Sequence, residues 1–313
     1  MTSTFARAFL LLAVSAQAAL TQQAGTEARD PRASITVSTA WLADHLKDPD
    51  LVLLHVGEKS EYDAGHISGA RFVSLQDIAV SGQSSPSGLT LEMPAATDLH
   101  DRLANLGIGD KSRVVVYYGK DWVTPSTRVM FTLDYAGLGP RSALLEGGMQ
   151  QWKRDGHEVT ADAPVAPSAG TLSPLRTRPI VVDAAWVNAH LGKKGVSVVD
   201  ARDTVFYSGT RTGGRAPQEH RTGHIAGAKS VFFNTLFDDK NTLKPPAELR
   251  ALFAAAGVQP GDTVVTYCHI GQQATATLFA ARSLGHPVLL YDGSFEDWSR
   301  RSEFPVDNPS KKP

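Results

Sequence analysis

Cys268 is the only cysteine in a chain of 313 residues, and its setting is that of a nucleophile. It follows TVVTY, a run that reads as a strand, and precedes His269, Ile270, Gly271, Gln272 and Gln273, after which Ala274-Thr275-Ala276-Thr277-Leu278-Phe279 begins a helix. In doubly wound sheets, ligands bind at the carboxyl ends of strands. The first N–H groups of a helix have no partner within it, and the helix dipole favours negative charge. Gly271 lets the backbone curl so that successive N–H groups form an anion-holding concavity. A thiol placed there is expected to ionise more easily. The same cradle can hold the terminal sulfur anion of a persulfide. The plainer reading is a buried cysteine that ends a core strand, packed as a small hydrophobe. Strand, cysteine, glycine-containing loop and helix in succession favour the chemical reading.

The elements around this loop occur twice. LVLLHVGEKSEYDAGHISGARFVSL, from Leu51, matches VSVVDARDTVFYSG and EHRTGHIAGAKSVFF in the second half. LGIGDKSRVVVYYGKDW matches AGVQPGDTVVTYCHIGQ, and LLEGGMQQW matches LLYDGSFEDW, in the same order. Such self-similarity is the mark of a repeated unit. Runs at 51–56, 113–118 and 142–145 read as strands of one unit, and 196–200, 263–267 and 287–291 as strands of the other. They are continuously apolar, as in parallel sheets buried on both faces. Stretches 95–106, 126–136, 246–256 and 273–284 read as helices. Gly107, Gly137, Gly257 and Gly285 stand just past their ends, where a left-handed cap favours glycine. The expected fold is α/β, with two doubly wound domains, each a mainly parallel sheet with helices on both faces. The domains are expected at 33–159 and 180–308, joined by a proline-rich linker at 160–179.

Cys268-x-x-Gly271-x-x-Ala274 after a strand resembles the active loop of the rhodanese family. Asp200-Ala201-Arg202, Gly223-His224-Ile225-x-Gly227-Ala228 and Asp292-Gly293-Ser294-x-x-x-Trp298 resemble its flanking signatures. Gly65-His66-Ile67-x-Gly69-Ala70 and Gly147-Gly148-x-x-x-Trp152 repeat them in the first half. The resemblance runs from about Ser34 to Asp307, as a tandem of two rhodanese domains, the arrangement of thiosulfate and 3-mercaptopyruvate sulfurtransferases. It implies sulfur transfer through a Cys268 persulfide, from a small-molecule donor to cyanide, a thiol or a protein acceptor, without a cofactor. It also implies a silent first domain, because Tyr118 aligns with Cys268 and a phenol cannot carry sulfane sulfur. Asp200 is expected to order backbone beside the site. Arg202 is expected to hold the anionic end of a donor through paired N–H groups. Arg211, more than Arg215, is expected on a rim formed by the glycine-rich insertion 208–218. For His66 and His224 a role hydrogen-bonding loop backbone outweighs zinc, since no cysteine or carboxylate spacing supports a metal. His269 and Ile270 fit neither the basic loop of thiosulfate-preferring relatives nor the small, serine-containing loop of mercaptopyruvate-preferring ones, so donor preference stays open.

Two other classes compete. Cell-cycle tyrosine phosphatases share this fold, but their loop is one residue longer and ends in a phosphate-clamping arginine where this chain has Ala274. A non-catalytic persulfide carrier or redox-sensing module fits the loop as well. Lys+Arg (31) and Asp+Glu (32) nearly cancel, which gives no global electrostatic case for nucleic acid or an anionic membrane. Arg7, the apolar run 8–14 and small residues at Ala16 and Ala18 read as a signal peptide cleaved after Ala18, which places the protein in the periplasm or outside the cell. A start assigned too far upstream would leave it in the cytoplasm. No other segment reads as a membrane span.

Overall fold

The computed structural model describes residues 30–120, 123–162, 170–213 and 220–311. The expected signal peptide, Pro164 and Pro167 of the linker, and Arg215 lie outside the described residues.

Two five-stranded sheets carry the chain, and every strand pair in them is parallel. The first holds β1 (Thr36–Val37), β2 (Leu51–Val56), β3 (Arg71–Val73), β4 (Arg113–Tyr118) and β5 (Ser142–Leu145), in the spatial order β1-β5-β4-β2-β3. The second holds β6 (Val181–Val182), β7 (Val196–Asp200), β9 (Lys229–Ser230), β10 (Thr263–Tyr267) and β11 (Val288–Tyr291), in the order β6-β11-β10-β7-β9. A separate antiparallel pair joins β8 (His224–Ile225) to β12 (Val306–Asp307). The central strands are apolar on both faces because helices cover both. In β4, Val114, Val116 and Tyr118 enter one core, while Val115 and Tyr117 enter another.

The expected central strands and helices are present, with small changes at their ends. The last strand starts at Val288 because Pro287 has no N–H for the ladder; its carbonyl accepts from Val264 instead. The helix expected from residue 126 begins at Val123, so Pro125 falls in its first turn, where a missing N–H breaks no helical bond. The edge strands β1, β3, β6 and β9 have two or three residues each. They are too short for a periodic signal.

The helices Val123–Tyr135 and Gln273–Ser283 pack against each other across the domain boundary, with Thr127 Oγ1 3.0 Å from Thr275 Oγ1. Both are buried nearly all round, so neither shows a clear apolar stripe. The described part of the linker is strapped along the first domain. Gly170 donates to Ala104 O (2.9 Å), Asp110 to Thr171 O (3.0 Å) and Arg178 to Tyr135 O (2.8 Å). No helix among the described residues is long and apolar enough to cross a membrane.

The repeat extends to single hydrogen bonds. Tyr117 Oη accepts from Ile67 N, and Tyr267 Oη from Ile225 N, each at 3.1 Å and fully buried. Each phenol ties the Gly-His-Ile turn to its central strand. Tyr117→Phe leaves a buried N–H without an acceptor and should cost about 1–3 kcal/mol in urea unfolding. A loss below about 0.5 kcal/mol would show that the bond contributes nothing net.

Candidate active site

The segment after β10 is held by its carbonyls. Cys268 O accepts from Phe295 N and His269 O from Glu296 N, both at 3.0 Å, at the start of the helix Ser294–Trp298. Gln272 O accepts from Thr275 N (3.1 Å) and from Thr275 Oγ1 (2.7 Å). Gly271 O accepts from Arg128 Nη1 of the first domain at 3.3 Å. By contrast, the N–H groups of His269, Ile270, Gly271, Gln272, Gln273 and Ala274 meet no acceptor among the described residues. A run of unpaired donors around one thiol suits an anion. Gly271 has φ +78°, in the left-handed region, and a Cβ on it would stand 3.0 Å from both Arg128 Nη1 and Asp292 O.

Cys268 is 1% exposed and belongs to a small apolar cluster with Phe131, Ala201, Ala274 and Leu278. The covering of the loop starts at His269. Its ring meets Phe206 edge-on at 4.6 Å, and Gly213 lies so close that a Cβ there would fall 2.0 Å from the imidazole. Burial, and secondarily the charge of Arg202, lowers the His269 pKa to about 4, so the ring is neutral at pH 7.

Arg202 lies close to both Cys268 and His269. Its guanidinium is nevertheless engaged within the protein. Nε and Nη2 hold the Asp200 carboxylate at 2.9 and 2.6 Å, Nη2 also donates to Gly223 O at 2.8 Å, and the plane lies 4.2 Å from the centre of the Phe295 ring. The paired N–H edge expected to hold a donor is therefore occupied, because a buried guanidinium needs a buried counter-charge. Asp200 Oδ1 also takes the Arg202 backbone N–H (2.9 Å), ordering the turn after β7. Arg211 is exposed, 5.8 Å from the Phe206 ring, on the same rim as His269. His224 Nδ1 contacts Tyr207 O at 2.7 Å, and its ring stacks on Tyr207. His66 repeats this with Tyr62. No group of three or more His, Cys, Asp or Glu among the described residues could hold a metal.

Asp292 and Ser294 belong to a flanking signature that gives them no role at the site, and Arg128 lies in no motif. Ser294 has φ +51° although it is not glycine; its Oγ accepts from Cys268 N (3.2 Å) and donates to Tyr291 O (3.0 Å). Arg128 is 0% exposed and pairs with Asp292 across the domain boundary at 2.7 Å. Asp292 Oδ2 in turn accepts from Met93 N (2.7 Å) of the first domain.

The first domain shows what replaces these groups. Strand registers put Tyr118 at the place of Cys268 and His55 at the place of Asp200. Gly148, with φ +52°, stands where Ser294 does, and a Cβ there would strike the Tyr118 ring at 2.7 Å. So the phenol fills the space that the serine side chain holds in the second domain. Tyr118 Oη reaches across to Asn241 O at 2.7 Å. His55 is 1% exposed, lies between Tyr62 and Tyr117, and neither ring nitrogen has a partner among the described residues.

Two outcomes follow from this geometry. Ser294→Ala keeps the left-handed backbone and loses both hydrogen bonds, whereas Ser294→Gly loses the bonds but relaxes the strain. The alanine variant should be the less stable by about 1 kcal/mol in urea unfolding, and the reverse order would contradict the strain argument. Burial, helped by the charges of His66 and Lys153, lowers His55 from 6.5 to about 4. The unfolded chain then binds more protons there, so this stability is whole above pH 6.5 and is lost as pH falls towards 4. His55→Phe should remove about 2–3 kcal/mol of the loss that the wild type shows between pH 7 and pH 4. Equal losses in both proteins would place the acid sensitivity elsewhere.

A family model described as a rhodanese-like domain matches this chain twice, over residues 38–155 and 183–301. The thiosulfate sulfurtransferase of Rattus norvegicus is 29% identical over 283 residues, spanning 85% of this chain and 92% of its own. The sulfur carrier protein TtuD of Thermus thermophilus is 30% identical over 284 residues, spanning 87% of this chain and 96% of its own. Wild-type EanB shares the fold with a TM-score of 0.78 at 22% identity, over 90% of this chain and 70% of that one. YnjE does so with 0.79 at 24% identity, over 89% and 69%. With two copies of the matched domain accounting for most of its length, the chain belongs to the rhodanese family.

Proposed function

We propose that the protein is a sulfurtransferase that moves a sulfane sulfur from thiosulfate or 3-mercaptopyruvate to cyanide or a thiol through a persulfide on Cys268. The observation that carries this reading is the row of six N–H groups after Cys268 that have no acceptor among the described residues. The Cys268 thiolate attacks the outer sulfur of thiosulfate, whose S–S bond breaks with its electron pair leaving on sulfite. With 3-mercaptopyruvate the C–S bond breaks instead, and the electron pair leaves as the pyruvate enolate, which takes up a proton. The loop N–H groups hold the negative outer sulfur of the resulting Cys–S–S⁻. Cyanide then attacks that sulfur, forming thiocyanate and returning the thiolate, in a ping-pong cycle.

The loop offers thiosulfate no fixed cation of its own, because His269 is neutral and Ile270 apolar. A non-catalytic sulfur carrier is the second reading. The name of the Thermus relative and the near-complete burial of Cys268 favour it over any other alternative. A phosphatase is disfavoured because Ala274, at the place of the phosphate-clamping arginine, is buried in apolar surroundings.

Intact-mass measurement after incubation with each donor should show the gain of about one sulfur atom in the wild type and none in Cys268→Ser. The same mass change in both proteins, or none in either, would end the proposal. Steady-state thiocyanate formation with the two donors in parallel then separates enzyme from carrier. A carrier loads once and turns over no faster than the Cys268→Ser control, and phosphate-ester hydrolysis would point to the third class.

A further inference from the structure

We infer that Arg128, a side chain of the first domain, sets the Gly271–Gln272 peptide and so aims the Gln272 N–H into the sulfur-holding loop of the second domain. This rests on the sulfurtransferase reading and adds to it. The domain without a nucleophile supplies a positioning residue.

A trans peptide is planar, and its C=O and N–H point in opposite directions. Turning a carbonyl outward therefore turns the next residue's N–H inward. Four carbonyls of the loop are tied in this way, those of Cys268, His269, Gly271 and Gln272. The N–H groups they orient belong to His269, Ile270, Gln272 and Gln273. Three of the four ties come from the second domain itself, through Phe295, Glu296 and Thr275. Only the Gly271 carbonyl is tied, among the described residues, from the other domain.

That peptide also needs the tie most. Glycine has the widest choice of backbone angles, so the peptide after Gly271 is the easiest in the loop to turn over. Arg128 is itself fixed from several sides. Nη1 donates to Asp292 Oδ1 at 2.7 Å as well as to Gly271 O, and Nη2 donates to Leu91 O. Asp292 is held by Met93 N at 2.7 Å, and Thr127, the residue before Arg128, meets Thr275 at 3.0 Å. A planar fork can serve all three acceptors at once, which a lysine ammonium on a flexible stem cannot do in the same geometry.

The test compares full-length wild type, Arg128→Met and Arg128→Lys. The first readout, alkylation of Cys268 by iodoacetamide at one fixed pH, needs no sulfur chemistry. Arg128→Met should slow alkylation about tenfold, because one aimed donor to the sulfur anion is lost. Loosened packing alone would act in the opposite direction, since it exposes a thiol that is 1% accessible. In turnover, kcat should fall about 10- to 100-fold while KM for the donor changes less than about threefold, and the loaded persulfide should decay faster. Arg128→Lys should recover part of each effect. Alkylation as fast as wild type or faster, with unchanged kcat, overturns the assignment. Should Arg128→Met fail to fold, Arg128→Gln, which keeps a donor without the fork, takes its place under the same criteria. A wild type that takes up no sulfur would refute the functional reading, and the alkylation rates would still decide the role of Arg128.

Discussion

Backbone N–H groups that leave water must find acceptors, and leaving one buried and unpaired costs about 1–3 kcal/mol. In the half-buried loop after β10, six consecutive N–H groups, from His269 to Ala274, meet no acceptor among the described residues. Such a row persists only if the chain is prevented from turning its own carbonyls towards it. Here the prevention is visible atom by atom. The start of the helix Ser294–Trp298 takes two carbonyls, Thr275 takes a third and Arg128 a fourth. The rest of the molecule is arranged around that requirement. β11 must end beside β10 so that Phe295 and Glu296 can donate, and the first domain must dock so that Arg128 arrives.

The two domains began as one pattern and diverged by paired exchanges. Where the second has Cys268 and Ser294, the first has Tyr118 and Gly148, and the exchange is steric. The phenol occupies the volume in which a Cβ at 148 would lie. Where the second has the Asp200–Arg202 pair, the first has His55 and Gly57, so no guanidinium needs a counter-ion there. What both keep is the tyrosine that ties the Gly-His-Ile turn to the central strand. The tie serves the fold, and the exchanged pairs serve or remove the chemistry.

Much of this was legible in the sequence because it depends on neighbours along the chain. Continuous apolar runs located the central strands, glycines located the ends of four helices, and the repeat aligned Tyr118 with Cys268. The rest depends on partners far apart in sequence. Arg128 reads as one cation in an apolar helix, and nothing nearby indicates Asp292, 164 residues on. In the sequence Arg202 reads as free to face a donor, because ordering backbone already accounts for Asp200 two residues back. In fact that carboxylate both orders the backbone and pairs with the guanidinium. Two-residue edge strands have no period to detect. The burial of Cys268 follows from Phe131 and the other apolar residues gathered over it, which only the folded chain brings together.

The junction at Arg128 is not built in the way that would close the two domains most firmly. A fully buried ion pair is often no more stabilising than well-packed apolar side chains of similar volume, because both charges lose their water. The arginine here also leaves its Nε without a partner among the described residues. Its counterpart by alignment of Thr127 with Thr275 is Ala276, which packs in the same pair of helices with no polar atom to satisfy. An apolar residue at 128 would therefore serve the helix contact. It could not reach the Gly271 carbonyl, and that bond is what the arginine gives to the sulfur-holding loop itself.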